Sequence, residues 1–137
     1  RQTLAALLGV STEQEIDTEL EKVLGLRRVI RGAVKGLGTK FSSSMLTTQE
    51  ARGIMLYNIL TDDKSEVWLL DAVTEGLSSK KSTRLLKTIM MRAQGRLVLI
   101  SLPFAVGINT FDRILALKKG SILFDGPPSE WQLEKEA

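Results

Sequence analysis

The positions best suited to chemistry stand at the ends of short apolar runs. Val67-Trp68-Leu69-Leu70 is continuous and stops at Asp71, and Leu97-Val98-Leu99-Ile100 stops at Ser101. Ligands of an open parallel sheet gather outside the carboxyl ends of its strands. An aspartate fixed there can hold a hydrated magnesium ion beside a nucleotide phosphate, because a hard cation needs oxygen ligands on a rigid element. The same residue serves equally well as a turn or helix-cap aspartate, so the pattern alone leaves both readings open. Glu75, four residues further on, is the nearby carboxylate that could stand in as a base. Arg27, Arg28, Arg31, Lys35 and Lys40 could touch phosphate or an acidic partner, or simply form a solvated face.

Other chemistries are excluded by what is absent. The 137 residues contain no cysteine and no histidine. That removes disulfide frameworks, most zinc sites, cysteine and Ser/His nucleophile systems, and any histidine general base. The content is 43% hydrophobic and 26% charged, typical of a globular domain with a core built mainly from aliphatic side chains. No apolar run is long enough to span a bilayer. The net charge of +3 is spread among acidic residues instead of forming a stripe, so nucleic acid is not the partner expected. The chain opens on Arg1, directly before the apolar pattern Leu4–Leu8, which leads to the expectation of a processed or truncated product. Met90-Met91 reads as helix packing and Trp68 as core with its N–H paired at the sheet edge.

The elements that must position these residues follow from periodicity. Residues 1–62 read as helical. Ser11-Thr12-Glu13-Gln14-Glu15 offers a cap and first-turn carboxylates, Leu20, Val23 and Leu24 repeat at helical spacing, and Gly25 is a stop. A loop rich in Gly and Ser follows the basic stretch. Thr47-Thr48-Gln49-Glu50 has the form of a capping box, starting a helix with Ile54, Met55, Ile59 and Leu60 inward and ending at Thr61-Asp62-Asp63-Lys64. From about residue 65 the period changes. A strand over 67–70, buried on both faces, precedes a helix over about 79–93 with Leu85, Leu86, Ile89 and Met90 inward and Lys80, Lys81, Arg84 and Lys87 outward. Strands at 97–100 and 114–117 imply a parallel sheet with right-handed crossovers. Lys118-Lys119-Gly120 turns the chain into Ser121-Ile122-Leu123-Phe124 as a hairpin, and Ser129 caps a final helix docked by Trp131 and Leu133.

This order of features resembles the C-terminal two-thirds of an ABC-transporter nucleotide-binding domain, over nearly the whole chain. The likeness is strongest at 66–79, through Leu70-Asp71 and Thr74-Glu75-Gly76-Leu77, and at 111–130, through Phe111-Asp112-Arg113-Ile114 and Phe124-Asp125-Gly126-Pro127-Pro128. It implies an α/β fold: an α-helical subdomain over 1–62, then over 63–137 the C-terminal part of a P-loop NTPase core, a parallel sheet with a terminal hairpin and helix. In that family a signature loop of the form Leu-Ser-Gly-Gly-Gln precedes the magnesium-binding strand. Here its place is taken by Met45-Leu46-Thr47-Thr48-Gln49, so only the glutamine is kept. The lost glycines would have let backbone approach a phosphate closely.

The resemblance assigns nucleotide contact to Thr47, Thr48, Gln49 and Asp71, and the metal-linked role to Asp71. The glutamate expected next, which polarises water, is Ala72, whose methyl group accepts no proton. Ser78 replaces the following loop's aspartate, and Pro103 stands where a switch histidine is expected, with neither side-chain donor nor N–H. The resemblance thus implies an ABC exporter domain, or a fragment of one, that couples ATP binding to transport without hydrolysis at this site. Magnesium and ATP would be held weakly or only with a partner. The partners implied are an N-terminal half carrying the Gly-rich lysine loop, a second nucleotide-binding domain and a transmembrane domain at the cytoplasmic face of a membrane. Residues 1–40 would meet that membrane domain. Residues 1–11 and 19–25 look most like exporters of lipids, sterols or drugs. An alternative is a structural pseudo-ATPase inside a large assembly, for which the pI of about 9.3 suggests a mitochondrial matrix setting.

Overall fold

Side-chain caps start most helices of the first half in the computed structural model, which describes residues 2–11 and 13–131. Helix α1 (Leu4–Leu8) starts at Thr3, whose hydroxyl accepts from the Ala6 N–H at 3.2 Å. Helix α2 (Thr18–Val23) is capped by Asp17, which accepts from the N–H groups of Glu19 and Leu20 at 3.0 Å each. Ser11 is the cap expected from sequence, but residues 11 and 13–17 form turns and irregular chain. Long-range contacts decide the matter. The Asp17 N–H donates to the Tyr57 hydroxyl at 3.0 Å, and Arg92 reaches the Asp17 carboxylate at 2.6 Å. Gly25, with φ of 69°, follows the end of α2 as expected.

Helix α3 (Arg27–Arg31) leads through a short 3₁₀ turn, Gly36–Gly38, to strand β2 (Lys40–Phe41). That strand pairs antiparallel with β1 (Gln2–Thr3), so the first 62 residues are not purely helical. Two residues per strand are too few to carry a readable period. Helix α4 (Thr48–Thr61) starts in the expected capping box. The Glu50 N–H donates to the Thr47 hydroxyl at 3.2 Å, and the Thr47 N–H donates to the Glu50 carboxylate at 2.9 Å. Its buried face is Ile54, Leu56, Tyr57 and Leu60. Met55, expected inward, is 66% exposed, because Gly53 and Leu56 instead turn toward the neighbouring chain. A Cβ on Gly53 would lie 2.6 Å from the Leu24 carbonyl oxygen, so the backbones touch there.

The second half is strand and helix. Strand β3 (Val67–Leu70) pairs parallel with β4 (Leu97–Ile100), Val67 opposite Leu97 and Leu70 opposite Ile100. Helix α5 (Ser79–Arg92) connects them, with Leu85, Leu86 and Ile89 buried, Met90 half-buried, and its lysines and Arg84 outward. Strand β5 (Ile114–Lys118) pairs antiparallel with β6 (Ser121–Gly126) through Lys119 and Gly120, both at positive φ, as a tight hairpin requires. The final helix expected after Ser129 falls largely on 132–137, with Leu133, outside the described residues. Pro128–Glu130 form a 3₁₀ turn, and the Trp131 ring meets Phe124 edge-on at 5.1 Å.

The chain is therefore mixed α/β, with a core of Leu4, Leu8, Leu20, Leu26, Tyr57, Leu85 and Ile89 between the helices and one face of β3. Among the described residues the strands form three separate two-stranded sheets. Strand β3 is not buried on both faces. Trp68 and Leu70 point into the core, while Val67 and Leu69 are 49% and 70% exposed. Trp68 is core as expected, but its indole N–H has no partner among the described residues; the Arg96 guanidinium lies over its ring at 4.9 Å.

Candidate functional site at the strand ends

The parallel register places Asp71 and Ser101 side by side, each one residue beyond a strand. The Ser101 N–H donates to the Leu70 carbonyl at 2.9 Å and extends the ladder. The Ser101 hydroxyl donates to Asp71 Oδ1 and accepts from the Ala72 N–H at 2.8 Å. One hydroxyl thus orients the carboxylate and fixes the residue after it. The sequence places Ser101 beside Asp71 among the strand-end positions but gives it no role, and its bond to Asp71 comes from the register. A polar residue closing the second apolar run was the available signal.

Beyond Asp71 the chain turns sharply. Ala72 has φ of 49°, a left-handed conformation that costs an L-residue roughly 1–2 kcal/mol. The Glu75 N–H then bonds the Ala72 carbonyl at 3.0 Å, and the Leu77 N–H bonds the Thr74 carbonyl at 3.1 Å. Ser78 caps α5 through a bond from the Lys81 N–H at 3.4 Å. Thr74 is buried, whereas the Glu75 side chain is exposed.

Helix α4 touches this turn. Gln49 Nε2 donates to the Gly76 carbonyl at 3.4 Å, and Arg52 donates to the Glu75 carbonyl. The structure therefore brings Gln49 to the loop that Asp71 begins. Thr47 is different: its hydroxyl accepts the helix-capping bond from Glu50. Thr48 is exposed on the first turn of α4. Pro103 is exposed and lines, with Asp71, Ser101 and Leu102, an open groove of about 1720 Å³.

The start of α4 is anchored from behind. Arg28 grips Glu50 with two bonds, Nε to Oε1 at 2.6 Å and Nη2 to Oε2 at 2.5 Å, and also donates to the Met45 carbonyl at 3.3 Å. The Arg28 bond, with those from Thr47, holds the Glu50 carboxyl down at about 2 despite its burial. Arg28, a candidate for phosphate contact, is thus committed to this internal pair.

Asp71 and Ser101 suit a hydrated magnesium ion in donor type, both presenting oxygen at a rigid strand end. Among the described residues no cluster of three carboxylate, histidine or cysteine groups exists, so most of such an ion's ligands would be water or phosphate.

No protein-family model matches the chain. Over 119 residues, 85% of its length, it is 29% identical to the glutathione/L-cysteine transport system ATP-binding/permease protein CydC of Haemophilus influenzae. The chain spans about 20% of the length of that curated relative. This similarity supports an ABC-transporter ATPase-related region in the chain.

Proposed function

We propose that the chain is a catalytically degenerate nucleotide-binding domain of an ABC exporter, or a fragment of one, that couples ATP binding to transport without hydrolysing ATP at this site. The observation that carries the reading is the end of β3. Asp71 is kept and is oriented by the Ser101 hydroxyl, while the next side chain is the methyl group of Ala72. A bound magnesium ion would neutralise phosphate charge there. Asp71 positions it, and Thr47, Thr48 and Gln49 present the start of α4 to nucleotide. No side chain at 72 or 103 can take a proton from water.

In this reading residues 1–62 form the helical subdomain and 63–137 the C-terminal part of the core. The N-terminal half with its Gly-rich lysine loop, a second nucleotide-binding domain and a transmembrane domain complete the assembly at the cytoplasmic face of a membrane. A scaffold reading is favoured by one observation: Thr47 uses its hydroxyl to cap α4, which leaves the signature position serving structure. In that case the chain is a pseudo-ATPase surface within a larger assembly, with an organellar matrix as its setting.

The test is a titration of the intact protein with magnesium and ATP, repeated with Asp71→Ala. Affinity falls at least tenfold if Asp71 holds the metal, and unchanged affinity removes that role. Turnover that persists with every partner removed would overturn the degenerate assignment.

A further inference from the structure

Between Glu21 and Glu50 the chain has no acidic residue, and its charged side chains are Lys22, Arg27, Arg28, Arg31, Lys35 and Lys40. Arg28 is committed to Glu50. The others are exposed and form no ion pair among the described residues. Arg27 and Arg31 stand four apart on α3 and so share one face. Like charges at that spacing destabilise a helix, so folding does not account for the pair.

The chain joining α3 to β2 holds an apolar side chain out among these charges. Val34 is 93% exposed, more than any other large apolar residue described. Its loop is braced. The Gly36 N–H donates to the Ala33 carbonyl at 2.8 Å, the Thr39 N–H to the Gly36 carbonyl at 3.1 Å, and the Lys35 N–H to the Thr39 hydroxyl at 2.8 Å. Ala33 and Leu37 pack against the core behind it. Val34 and Lys35 therefore project from a firm base. Neither the groove along β4 and β5 nor the cleft beside α5 includes any residue of 27–40. A projecting apex meets an extended surface better than it encloses a small ligand.

We propose that residues 27–40 dock on an anionic lipid surface, with Val34 entering the headgroup layer while Arg27, Arg31, Lys35 and Lys40 face acidic headgroups. Val34 favours lipid over nucleic acid or an acidic peptide. An apolar tip gains nothing from a phosphate backbone or a carboxylate, but entering the boundary below the headgroups takes it out of water. Phe41, the one aromatic between Glu21 and Glu50, is buried and cannot stack on bases. Helix α5 is the other basic surface. There Glu19 lines the same cleft as Lys80, Arg84 and Lys87, and Asp17 and Glu19 face Arg92, so acidic groups offset its charge. Docking of this kind requires no bound nucleotide.

The test sediments the 137-residue chain with vesicles of phosphatidylcholine, alone or with about one-third phosphatidylserine. At low salt the anionic vesicles should bind it at least about tenfold more strongly, and high salt should remove the difference. Arg31→Glu with Lys35→Glu should lower that binding about tenfold or more, since one basic residue at such a surface is worth about fivefold. Lys80→Glu with Lys87→Glu makes the same charge change on α5 and should lower it no more than about twofold. All four side chains are exposed, so the variants should keep the circular dichroism of the parent. The sequence has no cysteine, so Val34→Cys accepts an environment-sensitive dye at one site. Its emission should move to the blue on anionic vesicles, whereas the same dye on Met91→Cys, at an exposed position of α5, should not respond. Equal binding to neutral vesicles, equal loss in the α5 pair, no shift at position 34, or tighter binding to an oligonucleotide or to polyglutamate than to vesicles would each overturn the lipid assignment.

Discussion

Ala72 pairs a methyl side chain with a strained backbone. At φ of 49° any L-residue is strained, and glycine is not. Ala72→Gly should therefore stabilise the chain by about 1 kcal/mol in urea denaturation, whereas Ala72→Val should destabilise it; equal stability of the glycine variant would show a relaxed turn in solution. Under the proposed function, Pro103→His alone should give no ATP turnover, because position 72 still offers no base. A second residue-scale consequence concerns Glu50. Its folded carboxyl sits at about 2, held by Arg28, against an ordinary value of 4.5. A depressed carboxyl contributes stability that is fully present above pH 4.5 and is lost as pH falls toward 2. Arg28 is largely solvated, so water screens most of its charge. Glu50→Gln should lose about 1–2 kcal/mol at neutral pH, toward the low end of the roughly 1.5–3 kcal/mol for hydrogen bonds to a charged group because Arg28 is solvated. It should also show a flatter decline between pH 4.5 and 2 in acid titrations followed by circular dichroism.

At the scale of elements, α4 shows which features local sequence can encode. Its capping box and its end at Thr61 were legible because every partner lies within one turn. The cap of α2 was not, since Asp17 is selected by Tyr57 and Arg92, 40 and 75 residues away. The site divides the same way. Asp71, Ala72 and Pro103 stand in the sequence, whereas the Ser101–Asp71 bond depends on the register of β3 with β4. The exposed face of β3 was hidden too, because a continuous apolar run looks the same whether or not a neighbour covers its second face. Gly53 yields an element-scale prediction against propensity. Alanine normally favours a helix interior over glycine by about 1 kcal/mol, but a Cβ here would lie 2.6 Å from the Leu24 carbonyl oxygen. Gly53→Ala should therefore destabilise the packing of α4 on the end of α2, by about 1–3 kcal/mol. A gain in urea midpoint would show that the two backbones separate easily.

The whole molecule is unevenly finished: the helices around α4 close on a core, while the β3–β4 face and the hairpin present leucines to water. The largest exposures among these are Leu69 at 70% and Leu117 at 74%. Side chains already in solvent contribute little burial to folding. The paired substitutions Leu69→Lys and Leu117→Lys should therefore leave stability within about 0.5 kcal/mol. They should lower the binding of an apolar dye and suppress concentration-dependent light scattering of the isolated chain, because the apolar patch that attracts both is broken up. The two readouts separate an open face from a covered one. If the double variant loses about 2 kcal/mol or more and dye binding does not change, the leucines are buried in solution and the face is already occupied. A stable variant that binds less dye leaves the second half of the chain with an apolar surface open to water.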